Sequence, residues 1–137
     1  MVNPYIAIFL AALAAWIFGA VYYGVLGRVW MVAQGMGAAE IDERRKARKM
    51  PLGPMTISFL CELFMAAVFA PFLTLTHQGL ADAVVTGFML GLGLMGTSVL
   101  VNNAFQGRSW KLSVIDGAHW VLVAIIECAV LGGLLFS

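Results

Sequence analysis

Four long apolar segments, at 4–27, 54–76, 82–103 and 111–136, constrain this chain more than any other feature of it. Each is about as long as the roughly 20 residues that an α-helix needs to cross the hydrocarbon of a bilayer. Composition agrees: 62% of the 137 residues are hydrophobic and 11% are charged, and mean hydropathy is +0.94. A water-soluble domain needs far more polar surface, so that class is excluded. The expected fold is all-α, a single polytopic membrane domain over 1–137. It is read as a compact four-helix transmembrane bundle with a basic loop at 28–53.

The first segment contains Ala-Ala-Leu-Ala-Ala, which resembles the small-residue context of a signal-peptide cleavage site. No Lys or Arg precedes it and the apolar run is too long for such a signal, so it is read as a retained helix. Cys61 and Cys128 fall in different apolar segments. In straight helices their depths would differ by roughly 14 Å, too far for a disulfide, and both are read as small core residues.

The net charge of +1 hides a strong asymmetry. Arg28, Arg44, Arg45, Lys46, Arg48 and Lys49 follow the first segment, Arg108 and Lys111 follow the third, and these are all eight Lys and Arg. The positive-inside rule then puts both loops in the cytoplasm and both termini outside, in a multi-pass protein of the inner (cytoplasmic) membrane. Within the first loop, Glu40 with Arg44 and Asp42 with Lys46 are spaced as favourable helical ion pairs. This short basic helix is expected to lie on anionic lipid headgroups, and nucleic acid is not expected as a partner.

Small residues recur every fourth position at Ala7, Ala11, Ala15 and Gly19, which predicts a strip for close helix approach. Tyr22, Tyr23, Arg28 and Trp30 near the end of that helix read as interface anchors. Pro54 suits the start of the second helix, and Pro71 is expected to kink it or end its regular part. The link Thr-His-Gln-Gly-Leu predicts that helices two and three are antiparallel neighbours, with His77 solvated. Ala83, Gly87 and Gly91 form a GxxxG-type packing face toward a helix of the same chain or of another copy. So small a bundle leaves each helix partly open to lipid, so a homo-oligomer or a subunit of a larger membrane complex is expected.

Gly27, Arg28 and Trp30 align with Gly107, Arg108 and Trp110, and the same alignment pairs Tyr22 and Tyr23 with Asn102 and Asn103. This allows an internal duplication, two helical hairpins related by an axis along the membrane normal. Against it, Gly, Arg and Trp are each common at a membrane interface.

Asp116, His119 and Glu127 interrupt the fourth apolar segment, and Glu62 interrupts the second. An ionisable side chain facing lipid costs roughly 2 to 4 kcal/mol, so these residues should face inward. On an ideal helix Asp116 and Glu127 project within about 20° of each other and His119 about 60° from Asp116. Helices starting at one level would place Glu62 beside His119, the expected pair, with Asn102 and Asn103 nearer the cytoplasm and Glu127 standing apart. As a structural lock, these groups would satisfy one another and Arg108 or Lys111 and so fix helix packing. As a proton or ion path, they would be steps between the two surfaces. Catalysis ranks third: His119 with Asp116 could serve as a general base, but no Ser or Cys nucleophile has a motif around it. No metal spacing is present, and no cofactor is expected.

The stretches AWIFGAVYYGVLGRVWM and GRSWKLSVIDGAHW together resemble the signature ends of a bacterial and archaeal membrane family, the domain of unknown function 1761. The resembling positions are Tyr22, Tyr23, Gly27, Arg28 and Trp30, then Phe105, Gly107, Arg108, Trp110, Lys111, Asp116 and Gly117. Gln106 stands where that pattern often has an acidic residue, and His119 where it often has an aromatic one. The resemblance implies four membrane helices and no known activity.

Overall fold

In the computed structural model, which describes residues 1–136, helices account for nearly the whole chain. They are α1 (Pro4–Ala33), α2 (Ala38–Ala47), α3 (Leu52–Leu75), α4 (Leu80–Phe105) and α5 (Trp110–Leu135). All but α2 are long and apolar enough to span a membrane. The first span runs six residues beyond the expected 27, so the loop after it is shorter than predicted. The other boundaries shift by one or two residues, within ordinary fraying.

Local chemistry sets the ends. Asn3 caps α1 by accepting from the Tyr5 N–H at 2.9 Å, with Pro4 in the first turn. α1 stops at Gln34 and Gly35, and α4 at Gln106 and Gly107; the two glycines have φ of 89° and 65°. Ser109 caps α5 by accepting from Leu112 N–H, and its own hydroxyl donates to the Ala33 carbonyl at 2.7 Å. That bond ties the end of α1 to the start of α5.

α5 is the central helix. It packs against α1, α3 and α4, whereas α3 and α4 form no helix–helix interface although only a short turn joins them. The expected neighbour relation of helices two and three is therefore corrected. The molecule is a four-helix bundle arranged around α5, on which α1, α3 and α4 all pack, and its core takes in Ala83 of α4. Of the predicted strip on α1, Ala7, Ala11 and Ala15 are fully buried, as is Ala12 beside them, whereas Gly19 is half-buried and faces the His119 ring. The α4 strip packs within the chain. A Cβ on Gly87 would come within 2.6 Å of the Ala124 carbonyl oxygen, and one on Gly91 within 2.9 Å of the Val121 Cα, so only glycine admits this approach.

α4 contains one π-helical turn, Gly91–Gly96. Three glycines lie in it, and the Thr97 hydroxyl donates back to the Gly93 carbonyl at 2.8 Å. An extra residue in a turn rotates everything after it by about 100°. α3 runs through Pro71 to Leu75, so the proline does not end the helix. Cys61 faces outward and only Cys128 is core, and both are free. In α2, Glu40 pairs with Arg44 at 3.2 Å, the one ion pair among the described residues, so the Asp42–Lys46 pair does not form. Ile41 is the only buried side chain of α2.

α3 is displaced along the bundle axis. The Trp16 indole N–H, in the middle of α1, donates to the carbonyl of Met55, in the first turn of α3, at 2.9 Å. The half of α1 nearer Ala33 therefore lacks a full-length neighbour on this side.

Candidate functional site

Two separate polar arrangements lie in the membrane-spanning region. The first is a clamp on Asp116. The Tyr23 hydroxyl and the Trp30 indole N–H both donate to Asp116 Oδ1, at 2.7 and 3.0 Å, and the Tyr22 hydroxyl donates to the Ile115 carbonyl at 2.7 Å. Tyr23 and Trp30 are seven apart, which puts two donors on one face of α1. That spacing was a readable sign of a buried acceptor, and reading these side chains as interface anchors missed it. Gly27, Arg28 and Trp30 are not a turn at all but belong to the last turns of α1, and Arg28 is exposed. The second copy of the motif does lie at a turn, yet Arg108 and Lys111 are exposed and Trp110 is 70% exposed. The structural counterpart of Gln106-Gly107 is Gln34-Gly35, so the proposed alignment of the two ends does not describe equivalent positions.

The second arrangement is Glu62 with Glu127. Both are fully buried, on α3 and α5, and they lie within Coulombic reach of each other. The axial displacement of α3 explains this: Glu62 sits level with Glu127 and not with His119. The expected Glu62–His119 pair is thus overturned, and Glu127 does not stand apart. Ser58, one turn before Glu62, donates to Glu62 Oε1 at 3.0 Å. Glu62 Oε2 and both oxygens of Glu127 have no partner, although all are shut away from the surface.

His119 sits between the two. It is 4% exposed and packed among aromatic rings, with centroids 4.8 Å away at Tyr23, 5.4 Å at Tyr22 and 6.0 Å at Phe18, the last stacked. Its Nδ1 is buried without a partner, and a Cβ on Gly19 would come within 2.9 Å of its Nε2. Asp116 lies within Coulombic reach of it. Asn102 is exposed, and Asn103 is half-buried with its Nδ2 unpartnered. The asparagines lie beyond the π-helical turn, which helices drawn straight do not anticipate, and they join neither arrangement. The predicted lock, with all these groups satisfying one another and Arg108 or Lys111, is therefore limited to Asp116, and its donors come from α1.

A groove of about 550 Å³ opens between α1 and the start of α3, where the displacement of α3 leaves α1 uncovered. Trp16, Tyr23, Trp30, Met31 and Met55 are among its walls, and Ser58 and His119 also line it. Ser58 thus connects the groove to Glu62 and through it to Glu127. Among the described residues no group of three or more His, Cys, Asp or Glu is arranged to hold a metal.

The fold and site define a multi-pass α-helical membrane protein with a carboxylate pair buried among its spans. A protein-family model described as "Protein of unknown function (DUF1761)" matches residues 6–132, and the chain belongs to that family. No curated protein and no solved structure matches it.

Proposed function

We propose that this protein is a small proton-coupled carrier in which the Glu62–Glu127 pair is the element that takes up and releases charge. The observation that supports this reading is that three of the four carboxylate oxygens of the pair are buried without a partner. An ionised carboxylate in a membrane interior costs several kcal/mol unless it is paired, and two within Coulombic reach of each other cannot both stay charged and empty. The pair must hold a proton or a cation, and an unsatisfied pair can exchange it. A purely structural role would favour a saturated arrangement like that of Asp116.

The surroundings fit a carrier seen in one access state. On one side the pair communicates through Ser58 with the open groove. On the other, buried Leu73, Leu131 and Leu135 close the bundle near the chain termini. The concentration of Arg and Lys at the groove end supports an orientation with the groove facing the cytoplasm and both termini outside.

The test is proton flux in proteoliposomes containing a trapped pH dye, driven by an imposed potential. Wild type should carry protons, and Glu62→Gln and Glu127→Gln should abolish the flux while keeping the fold. Flux no greater than that of protein-free liposomes ends this reading.

A second reading, an oligomeric or accessory subunit, draws on α4, which is packed by α5 alone and exposed to lipid elsewhere. The mass of the gently extracted native particle separates the two: co-extraction with a larger complex favours the subunit.

A further inference from the structure

We propose that the groove between α1 and α3 binds a lipophilic organic cation, one positive charge on an apolar body of several rings. This rests on the carrier reading and names its substrate class.

The size fits first. At about 550 Å³ the groove lies within the roughly 300–1,000 Å³ usual for small-molecule sites. Its walls then select by chemistry. The polar ends of the aromatic side chains are already engaged: the Trp16 N–H on the Met55 carbonyl, and the Tyr23 hydroxyl and Trp30 N–H on Asp116. What these side chains have left for a ligand is ring surface, and ring faces attract cations. Met31 and Met55 add polarizable thioethers that adapt to irregular apolar shapes.

Charge points the same way. No Lys or Arg lines the groove, whereas carboxylates flank it on two sides: Asp116 behind Tyr23 and Trp30, and Glu62 behind Ser58. The Ser58 hydroxyl has given its hydrogen to Glu62, so it can offer a ligand only an acceptor. An anion would meet two negative charges behind the walls, against at most the one imidazole N–H of His119. A cation answers the ring faces directly and the carboxylates at a distance, through Ser58 and the Asp116 clamp, and its charge favours release of a proton from the Glu62–Glu127 pair. The titratable groups facing that pair and the groove are Tyr22 and Tyr23 of α1 and Asp116, His119 and Cys128 of α5.

The probe is tetraphenylphosphonium, with tetraphenylborate, an anion of nearly the same size and shape, as control. Binding to the purified full chain in detergent is followed by equilibrium dialysis against protein-free micelles and by quenching of tryptophan fluorescence. Saturable binding of the phosphonium and none of the borate is expected. Glu62→Gln should weaken it about tenfold or more, as removal of a charged partner does. Ala20→Phe fills the groove from an exposed position on α1 and should weaken it comparably with the thermal melt unchanged. Equal saturable binding of both ions overturns the proposal, as does no saturable binding of the phosphonium to folded wild type, or wild-type binding by both variants. Proton flux without phosphonium binding removes the cation and leaves the carrier. Phosphonium binding without proton flux keeps the site and removes the carrier.

Discussion

The Tyr23 hydroxyl and Asp116 Oδ1 are 2.7 Å apart, joining α1 to α5 across 93 residues of sequence. Trp30 reaches the same oxygen from one face of the same helix, so Asp116 holds α1 in a single rotational setting. Hydrogen bonds in membranes average about 0.6 kcal/mol and reach about 1.7, and this one has a carboxylate acceptor. Tyr23→Phe is expected to destabilise by about 1 kcal/mol, and Asp116→Asn by more, because it weakens both bonds. Thermal unfolding in detergent reads the difference. A melt of Asp116→Asn matching wild type would remove the clamp as a stabilising element.

Gly107 and Gly27 resemble each other in sequence and differ in the fold. Gly107 has φ of 65° in the turn between α4 and α5, whereas Gly27 is an ordinary residue of α1 with nothing within 4 Å of an added Cβ. Gly107→Ala should cost about 1 kcal/mol through its left-handed backbone. Gly27→Ala should be neutral or stabilise by about 0.5 to 1 kcal/mol, since alanine is the better residue inside a helix. An equal loss of about 1 kcal/mol at both sites would restore the duplicated-turn reading.

Segment length and hydropathy revealed the four spans, because crossing hydrocarbon imposes a length that composition displays directly. The alanine strip of α1 and the glycine strip of α4 were legible for a similar reason, since small residues at four-residue spacing have few other uses. The carboxylate pair was not legible. Its register depends on the Trp16–Met55 contact, which slides α3 along α1, and no local pattern records that slide. The asparagines misled because the π-helical turn intervenes between the α4 packing face and Asn102. The one missed signal within reach was the seven-residue spacing of Tyr23 and Trp30, joined to the acidic residue that the fourth segment carries at Asp116.

The glycines of α4 separate packing within the chain from packing between copies. A side chain at Gly87 or Gly91 collides with the backbone of α5, which has no flexible end to yield, while Gly93 has open space around it. Gly87→Leu should therefore destabilise by about 3 kcal/mol or more, beyond the usual overpacking cost, and Gly93→Ala should not destabilise. Both should leave the particle mass by light scattering unchanged. A shift from a larger to a smaller particle in Gly87→Leu would mean that the glycine face serves a second copy after all.

Glu62 and Glu127 make opposite demands on the two readings of the polar residues. If the pair stabilises the bundle, replacing either by Gln removes a favourable interaction and lowers the melting temperature. If it is an unsatisfied charge-binding pair, Glu127→Gln removes a buried carboxyl that has no partner on either oxygen, and with it the repulsion on Glu62. Relieving an uncompensated buried group is neutral or stabilising, by up to about 1 to 3 kcal/mol. Glu62→Gln retains an oxygen to accept from Ser58 and should also leave the fold intact. The gain of the double variant should be smaller than the sum of the two single gains, because removing one charge already relieves the other. Melts of both single variants and the double variant at neutral pH decide it, and a loss of about 1 kcal/mol or more in each single variant would return the pair to a structural role.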